Sequence, residues 1–136
     1  MAFQYMTLKG HDNLLSTTRG VRSMDMKPTG RGIDGIYKSA HPPPPYIITE
    51  TKYRTGGKYS AGSLPTTTGS TGYPSARQMS DEWIDPRLKD AVDKETQLDI
   101  RREGYERWLL VVDEGGNVTS ITRLDENARA IGEVTR

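Results

Sequence analysis

The chain has 136 residues, and its 19 lysines and arginines almost balance 18 aspartates and glutamates. This length suits one domain with a small core. The lack of cysteine excludes disulfides, thiolate catalysis and cysteine-based zinc sites, and no apolar run is long enough for a membrane-spanning segment. The near-zero net charge neither supports nor excludes a nucleic-acid partner, because basic groups can be gathered on one face.

The first 30 residues are a poorly specified N-terminal segment of the single predicted domain. His11 is interpreted as a surface histidine rather than a metal ligand. The basic stretch between Ser16 and Gly30 is interpreted as a solvated loop, with phosphate contact as the alternative. Arg31 is the better candidate for phosphate contact, because it lies three residues before Asp34.

Two predicted strands bring charged side chains together. Gly32–Tyr37 is a short glycine-flanked strand with Asp34 near its start, and Tyr46–Tyr53 is rich in β-branched and aromatic residues. Because strand side chains alternate between faces, Glu50 and Lys52 share one face. If the two strands pair as a hairpin, Asp34 lies beside Glu50.

This arrangement predicts a divalent metal site. Two carboxylates suit Mg²⁺ or Mn²⁺, which also accept waters and phosphate oxygens. Such an ion lowers the pKa of a bound water and polarises a phosphodiester. Lys52 would then lie beside the attacking water or the phosphate. Surface strands also alternate Glu, Thr and Lys, so a solvated surface pair is the alternative.

Residues 54–74 are rich in Gly, Ser and Thr and predict a flexible loop. Within it, Lys58, Tyr59 and Tyr73 are candidates for phosphate contact and base stacking, with a linker-like loop as the alternative. The Ser-x-x-Gln pattern ending at Gln78 predicts a capping box and the start of a helix. Gln78 has two interpretations, as the partner in that cap or as a residue of the site.

The C-terminal half alternates helical and strand patterns. Asp85-Pro86 predicts a second helix, and the charged stretch 94–103 predicts a third. A hairpin around a Gly-Gly turn is predicted for residues 106–113 and 118–124. Asp125 is predicted to cap a final short helix. The predicted fold is α/β or α+β, a mixed β-sheet of four to five strands flanked by helices.

Three stretches, residues 30–37, 43–53 and 77–84, carry a wider resemblance. The order Asp, then Glu-x-Lys on adjoining strands, resembles the PD-(D/E)XK nucleases of restriction-endonuclease-like fold. The sequences of the three stretches are similar to those of the toxin modules at the C-termini of bacterial polymorphic toxins. Such modules occur on Rhs, contact-dependent inhibition and type VI secretion effectors. The resemblance covers roughly Arg31 to Ile84.

The resemblance implies a metal-dependent endonuclease with Mg²⁺ or Mn²⁺ as cofactor and DNA as the expected substrate. Asp34 and Glu50 would hold the metal, with Lys52 and Gln78 completing the catalytic group. The substrate-binding candidates are Arg31, Lys58 and Arg77. An N-terminal acidic residue often completes such sites, and here the candidates are Asp12 and Asp25.

The same resemblance implies an antibacterial toxin. It would be delivered as the C-terminal part of a secreted effector into the cytoplasm of a target bacterium. A cognate immunity protein would neutralise it.

Two alternatives remain open at this point. One is an RNase of the same fold, since the reacting phosphodiester is the same. The other is a non-catalytic binding or immunity module, which the low hydrophobicity and the Pro-rich segment permit. Expression distinguishes the binding module from a nuclease toxin. The toxin should be hard to clone in active form without its neutralising partner, whereas the binding module should not.

Overall fold

The computed structural model describes residues 12–13, 33–38, 44–67 and 75–134. Their main feature is a six-stranded mixed sheet, five strands of four or more residues plus a two-residue edge strand. Its spatial order is β1-β2-β3-β6-β7-β8, for the strands β1 Asp12–Asn13, β2 Gly35–Lys38, β3 Tyr46–Tyr53, β6 Tyr105–Val112, β7 Val118–Leu124 and β8 Ala130–Glu133. The predicted α+β class is confirmed.

The smaller elements lie between β3 and β6 in sequence. They are a 3₁₀ turn, a two-stranded sheet and two helices: Ala61–Ser63, β4 Thr66–Thr67, β5 Ala76–Arg77, α1 Asp81–Ala91 and α2 Lys94–Glu103. β3 and β6 run parallel, so the chain must cross from one end of the sheet to the other between them. α1 and α2 belong to that connection. Every other strand pair in the main sheet is antiparallel.

Apolar side chains bury both faces of the sheet. On the face beneath the helices, Ile48 of β3 and Leu109 of β6 belong to one buried cluster with Trp83 of α1 and Ile100 of α2. The other face carries a second buried cluster: Tyr37, Ile47, Trp108, Leu110, Val112 and Ile121. β6 contributes to both clusters, which explains why its sequence is continuously apolar rather than alternating.

The hairpin predicted between the Asp34 strand and the Glu50 strand is confirmed. β2 pairs antiparallel with β3, and Gly35 lies opposite Thr49. One residue further along this register, Asp34 falls opposite Glu50. The strand pairing therefore brings the two predicted carboxylates to neighbouring positions.

The helix predicted to start at Ser75 was wrong. The Ser75 hydroxyl donates to the carbonyl oxygen of Thr67 at 2.8 Å, so it serves the small β4–β5 sheet and caps no helix. α1 begins only at Asp81, and Asp85-Pro86 lies inside it instead of opening a second helix. The helix predicted over residues 94–103 is confirmed as α2, where Asp93 accepts from the Thr96 N–H.

The final helix predicted from Asp125 was also wrong. The Asp125 carboxylate accepts from the backbone N–H groups of Asn127 and Arg129 at 2.8 and 3.0 Å. These bonds close a turn, and the chain then enters β8, which pairs with β7. A side chain that can cap a helix can equally close a turn, and here strand pairing decides between the two.

Of the residues that the structure describes, none belongs to a helix long and apolar enough to cross a membrane. α1 has 11 residues and α2 has 10. A spanning helix needs about 20.

Replacing Gly35 by alanine should destabilise the β2–β3 pair. A Cβ at Gly35 would lie 2.5 Å from Thr49 Oγ1 and 2.6 Å from the Tyr37 ring. Overpacking of this kind costs about 1–3 kcal/mol of unfolding free energy. Gly132→Ala is the matched control, because it is also in a strand and a Cβ there has no neighbour within 4 Å. Urea denaturation giving equal stability for both variants would contradict the close approach at Gly35.

Candidate active site

Glu50 and Lys52 lie side by side on the helix-covered face of β3. Lys52 Nζ lies 3.2 Å from Glu50 Oε2, and the two side chains are 14% and 4% exposed. They share a face because they are two residues apart in a strand. Exposed pairs contribute about 0–1 kcal/mol, but this pair is removed from water. The alternative of a solvated surface pair therefore does not describe it.

Asp34 immediately precedes β2 and lies beside the end of β3 that β2 does not pair with. Its Oδ2 accepts from the backbone N–H of Thr51 at 2.9 Å. This bond replaces a strand–strand hydrogen bond at the point where β2 has not yet joined the sheet. It fixes the Asp34 carboxylate next to the Glu50 side chain, close enough for a hydrogen bond between the two carboxyl groups.

The surroundings of Glu50 disfavour its charged form. Burial raises its pKa most, the negative charge of Asp34 raises it further, and Lys52 lowers it only in part. The resulting pKa is about 9, against an ordinary value of 4.5. In the metal-free protein at neutral pH, Glu50 therefore holds a proton that it can share with Asp34.

The Asp34–Glu50 pair fits a divalent cation. Glu50 Oε1 is buried and has no hydrogen-bond partner among the described residues. A proton or a cation bridging to Asp34 would satisfy that oxygen. Mg²⁺ keeps several waters and binds through one or two carboxylates plus substrate phosphates, so two protein ligands suffice. Within the described ranges no group of three or more His, Cys, Asp and Glu side chains is arranged so that it could hold a metal ion.

Several N-terminal predictions fall outside what is described. Arg31 and Asp25 are not among the described residues. Asp12 is placed in β1, opposite Lys38, but only its backbone is described. The proposed extra acidic ligand and the Arg31 phosphate contact stay predictions.

Gln78 is buried between β5 and α1, with 3% of the residue exposed. Its backbone N–H donates to Pro65 at 2.8 Å, and its side-chain Oε1 has no partner among the described residues. The following residue, Met79, is buried with a positive φ of 73°, a conformation uncommon for non-glycine residues. The cap interpretation of Gln78 was wrong, since no helix starts there. Its role in the site stays a prediction.

The two other basic candidates differ in their contacts. The Arg77 guanidinium donates to the backbone carbonyls of Ala61, Leu64 and Ala128, so it ties the loop before β4 to the turn before β8. Lys58 is exposed. Binding of substrate by either residue stays a prediction, but Arg77 already has a structural task that the sequence did not indicate.

Aromatic residues around the carboxylates were missed by the sequence reasoning. Burial raises the pKa of Tyr37 to about 12, with the Asp34 charge as a further cause. The pKa of Tyr53 is raised for the same two reasons. Both rings therefore lie within electrostatic reach of Asp34. These tyrosines lie three and nineteen positions after Asp34 in the sequence. No sequence pattern indicates that residues at such spacings are close to one another.

The fold and the site define an α+β protein in which a buried glutamate lies beside a half-buried aspartate and shares a strand with a lysine. Comparison with protein-family models, curated proteins and solved structures finds no match. The geometry of the site therefore carries the functional argument.

Proposed function

We propose that the protein is a metal-dependent nuclease that hydrolyses phosphodiester bonds, with DNA as its substrate. One observation carries this proposal. Glu50 is buried against Asp34 and Lys52, and one of its oxygens has no partner among the described residues. Burial of an acid beside a second acid and a lysine is unfavourable for stability alone, and strongly perturbed titratable groups concentrate at functional sites.

Asp34 and Glu50 would hold the divalent cation through their carboxylate oxygens. Asp34 is held in place by the Thr51 N–H, and Glu50 by its strand and by Lys52. When bound, the ion supplies Lewis-acid polarisation of the phosphodiester and lowers the pKa of a bound water. Loss of the Glu50 proton would accompany this binding, because a ligand carboxylate must be ionised.

Lys52 supplies positive charge next to the reacting centre. Its ammonium has three donors, and one faces Glu50 Oε2. The others can hold a phosphate oxygen or the attacking water and can stabilise negative charge that develops at phosphorus. Its side chain is only 14% exposed, so the ammonium lies largely out of bulk water. Electrostatic interactions are stronger there than in water.

The biological part of the proposal rests on the sequence resemblance to PD-(D/E)XK toxin modules. In this proposal the chain is the nuclease toxin module of a larger secreted effector. It acts in the cytoplasm of a target bacterium and is neutralised by a cognate immunity protein. The parallel β3–β6 pair and the antiparallel β2–β3 hairpin are compatible with such a module, although many unrelated proteins share these features.

Cleavage should depend on Mg²⁺ or Mn²⁺. We expect activity with either ion, its loss in excess EDTA, and poor activity with Ca²⁺, because the smaller ions better suit a site of two carboxylates and waters. The measurement is digestion of plasmid DNA and total RNA side by side, with each metal and with EDTA.

Two outcomes of this assay are informative beyond the metal. Undiminished cleavage in EDTA would remove the metal mechanism. Cleavage of RNA with intact plasmid would keep the chemistry and change the substrate to RNA. Absence of cleavage of both substrates by a folded protein would refute the nuclease proposal.

A further inference from the structure

The ring of Tyr59 lies against the lysine of the site. Lys52 Nζ is 5.5 Å from the Tyr59 ring centroid, and the guanidinium carbon of Arg54 is 4.9 Å from the same centroid. Both separations lie within the range in which a cation is attracted to an aromatic face. One ring therefore contacts the cation that also pairs with Glu50.

The turn leading to Tyr59 is tied to the β6–β7 hairpin. The Gly56 N–H donates to the Glu114 carboxylate at 2.8 Å, and the Thr119 hydroxyl donates to the Gly57 carbonyl at 2.7 Å. Gly57 has a φ of +65°, and a Cβ there would lie 2.5 Å from the Thr119 side chain. Glycine is required for this close approach, and the turn is thereby fixed relative to the sheet.

Tyr59 itself is held at two ends. Its hydroxyl donates to the Ser63 carbonyl at 2.8 Å, and its half-buried ring packs against the core cluster beneath the helices. Lys52, by contrast, has a long flexible stem whose ammonium favours water. A fixed ring beside the end of a long side chain restricts the directions that its ammonium can take.

We propose that Tyr59 is a positioning residue, whose ring holds the Lys52 ammonium towards Glu50 and the reacting centre. This deepens the proposed nuclease function and rests on it. Tyr59 need not touch substrate, since it acts through Lys52. The ring, rather than the hydroxyl, is the part that matters for this role.

The test compares Tyr59→Phe with Tyr59→Leu. In metal-free protein, the rate at which Lys52 is acylated by a water-soluble amine reagent is measured by peptide mass spectrometry. We expect Phe to match wild type, and Leu to raise the rate several-fold because the ammonium reaches solvent more often. In plasmid cleavage, Leu should lower kcat about ten- to hundredfold, as small misplacements do, with little change in KM, while Phe retains kcat.

A second variant guards against a folding defect in Tyr59→Leu. Glu114 is exposed, and Glu114→Ala removes the anchor of the Gly56 N–H without touching the core. It should raise Lys52 acylation part of the way. Combining Tyr59→Leu with Lys52→Met should cleave no more slowly than Lys52→Met alone, since the ring acts only through the lysine.

Equal Lys52 acylation in wild type, Glu114→Ala and Tyr59→Leu would overturn the positioning role. An additive loss of kcat in the double variant would overturn it as well. The acylation result does not depend on the cleavage assay that tests the function itself. A wild-type protein that cleaves no nucleic acid refutes the nuclease proposal, whereas the acylation rates report on the ring and the lysine directly.

Discussion

Glu50→Gln is expected to reduce DNA cleavage by two orders of magnitude or more while the protein remains folded. Gln keeps the size of the side chain but cannot supply the negative charge that holds a divalent cation. The fold should tolerate the change, because Glu50 has a pKa of about 9 and is neutral at pH 7 without metal. Gln resembles that neutral form. Plasmid digestion and thermal melts are measured together.

Lys52→Met should have a comparable effect on cleavage for a different reason. It removes the ammonium that lies 3.2 Å from Glu50 Oε2 but keeps much of the stem. Loss of a group that stabilises charge in the transition state typically costs about 10²–10³ in kcat. Without Lys52, Glu50 stays protonated over a wider pH range, so no unpaired buried charge results at neutral pH.

The exposed pair Asp85–Arg101 provides matched controls. Its atoms are 3.1 Å apart, and the side chains are 64% and 43% exposed. Asp85→Asn and Arg101→Met make the same kinds of change in an exposed pair that the proposed mechanism does not use. Both variants should cleave at the wild-type rate. A folded Glu50→Gln protein with wild-type activity would refute the assignment of the site.

The second large effect concerns stability and pH. In the folded metal-free protein Glu50 binds a proton up to about pH 9, whereas in the unfolded chain it ionises near its ordinary value of 4.5. Between these values folding takes up a proton, so the free energy of unfolding falls as pH rises. Protonated Glu50 makes its full contribution to the free energy of unfolding below the unfolded pKa. That contribution is lost as pH rises through the folded pKa.

One proton accounts for about 1.4 kcal/mol per pH unit. Between pH 5 and pH 8 the wild type should therefore lose roughly 2–4 kcal/mol relative to Glu50→Gln, in which this titration is absent. Urea denaturation of both proteins in EDTA at several pH values measures the difference. Parallel stability curves would show that Glu50 ionises normally in the fold. Saturating Mg²⁺ should reduce the wild-type loss, because the ion favours ionised Glu50.

Local pattern was sufficient for the four central strands of the main sheet and for one helix. β3, β6 and β7 were predicted from runs of β-branched and apolar residues, and α2 from its charged stretch between Asp93 and Gly104. In these segments propensity, burial and boundaries all favour the same structure. The Asp34–Glu50 neighbourhood also followed from sequence, because a short hairpin leaves few registers.

Where local pattern failed, a distant partner changed the outcome. Ser75 has the form of a helix cap, but its hydroxyl bonds to Thr67 eight residues earlier. Asp125 also resembles a cap, yet the pairing of β8 with β7 turns its bonds into a strand connection. The two cases share one cause. The same side chain satisfies backbone N–H groups or carbonyls in more than one local structure, and tertiary pairing selects among them.

The sequence by itself determined that Asp34 and Glu50 come to neighbouring positions across a hairpin, and that Glu50 and Lys52 share a strand face. Only the tertiary structure decided how buried they are. The helix-covered face removes Glu50 from water and raises its pKa, and the turn anchored at Gly57 brings Tyr59 to Lys52. Burial and electrostatics depend on neighbours from distant parts of the chain, and no spacing along the sequence encodes them.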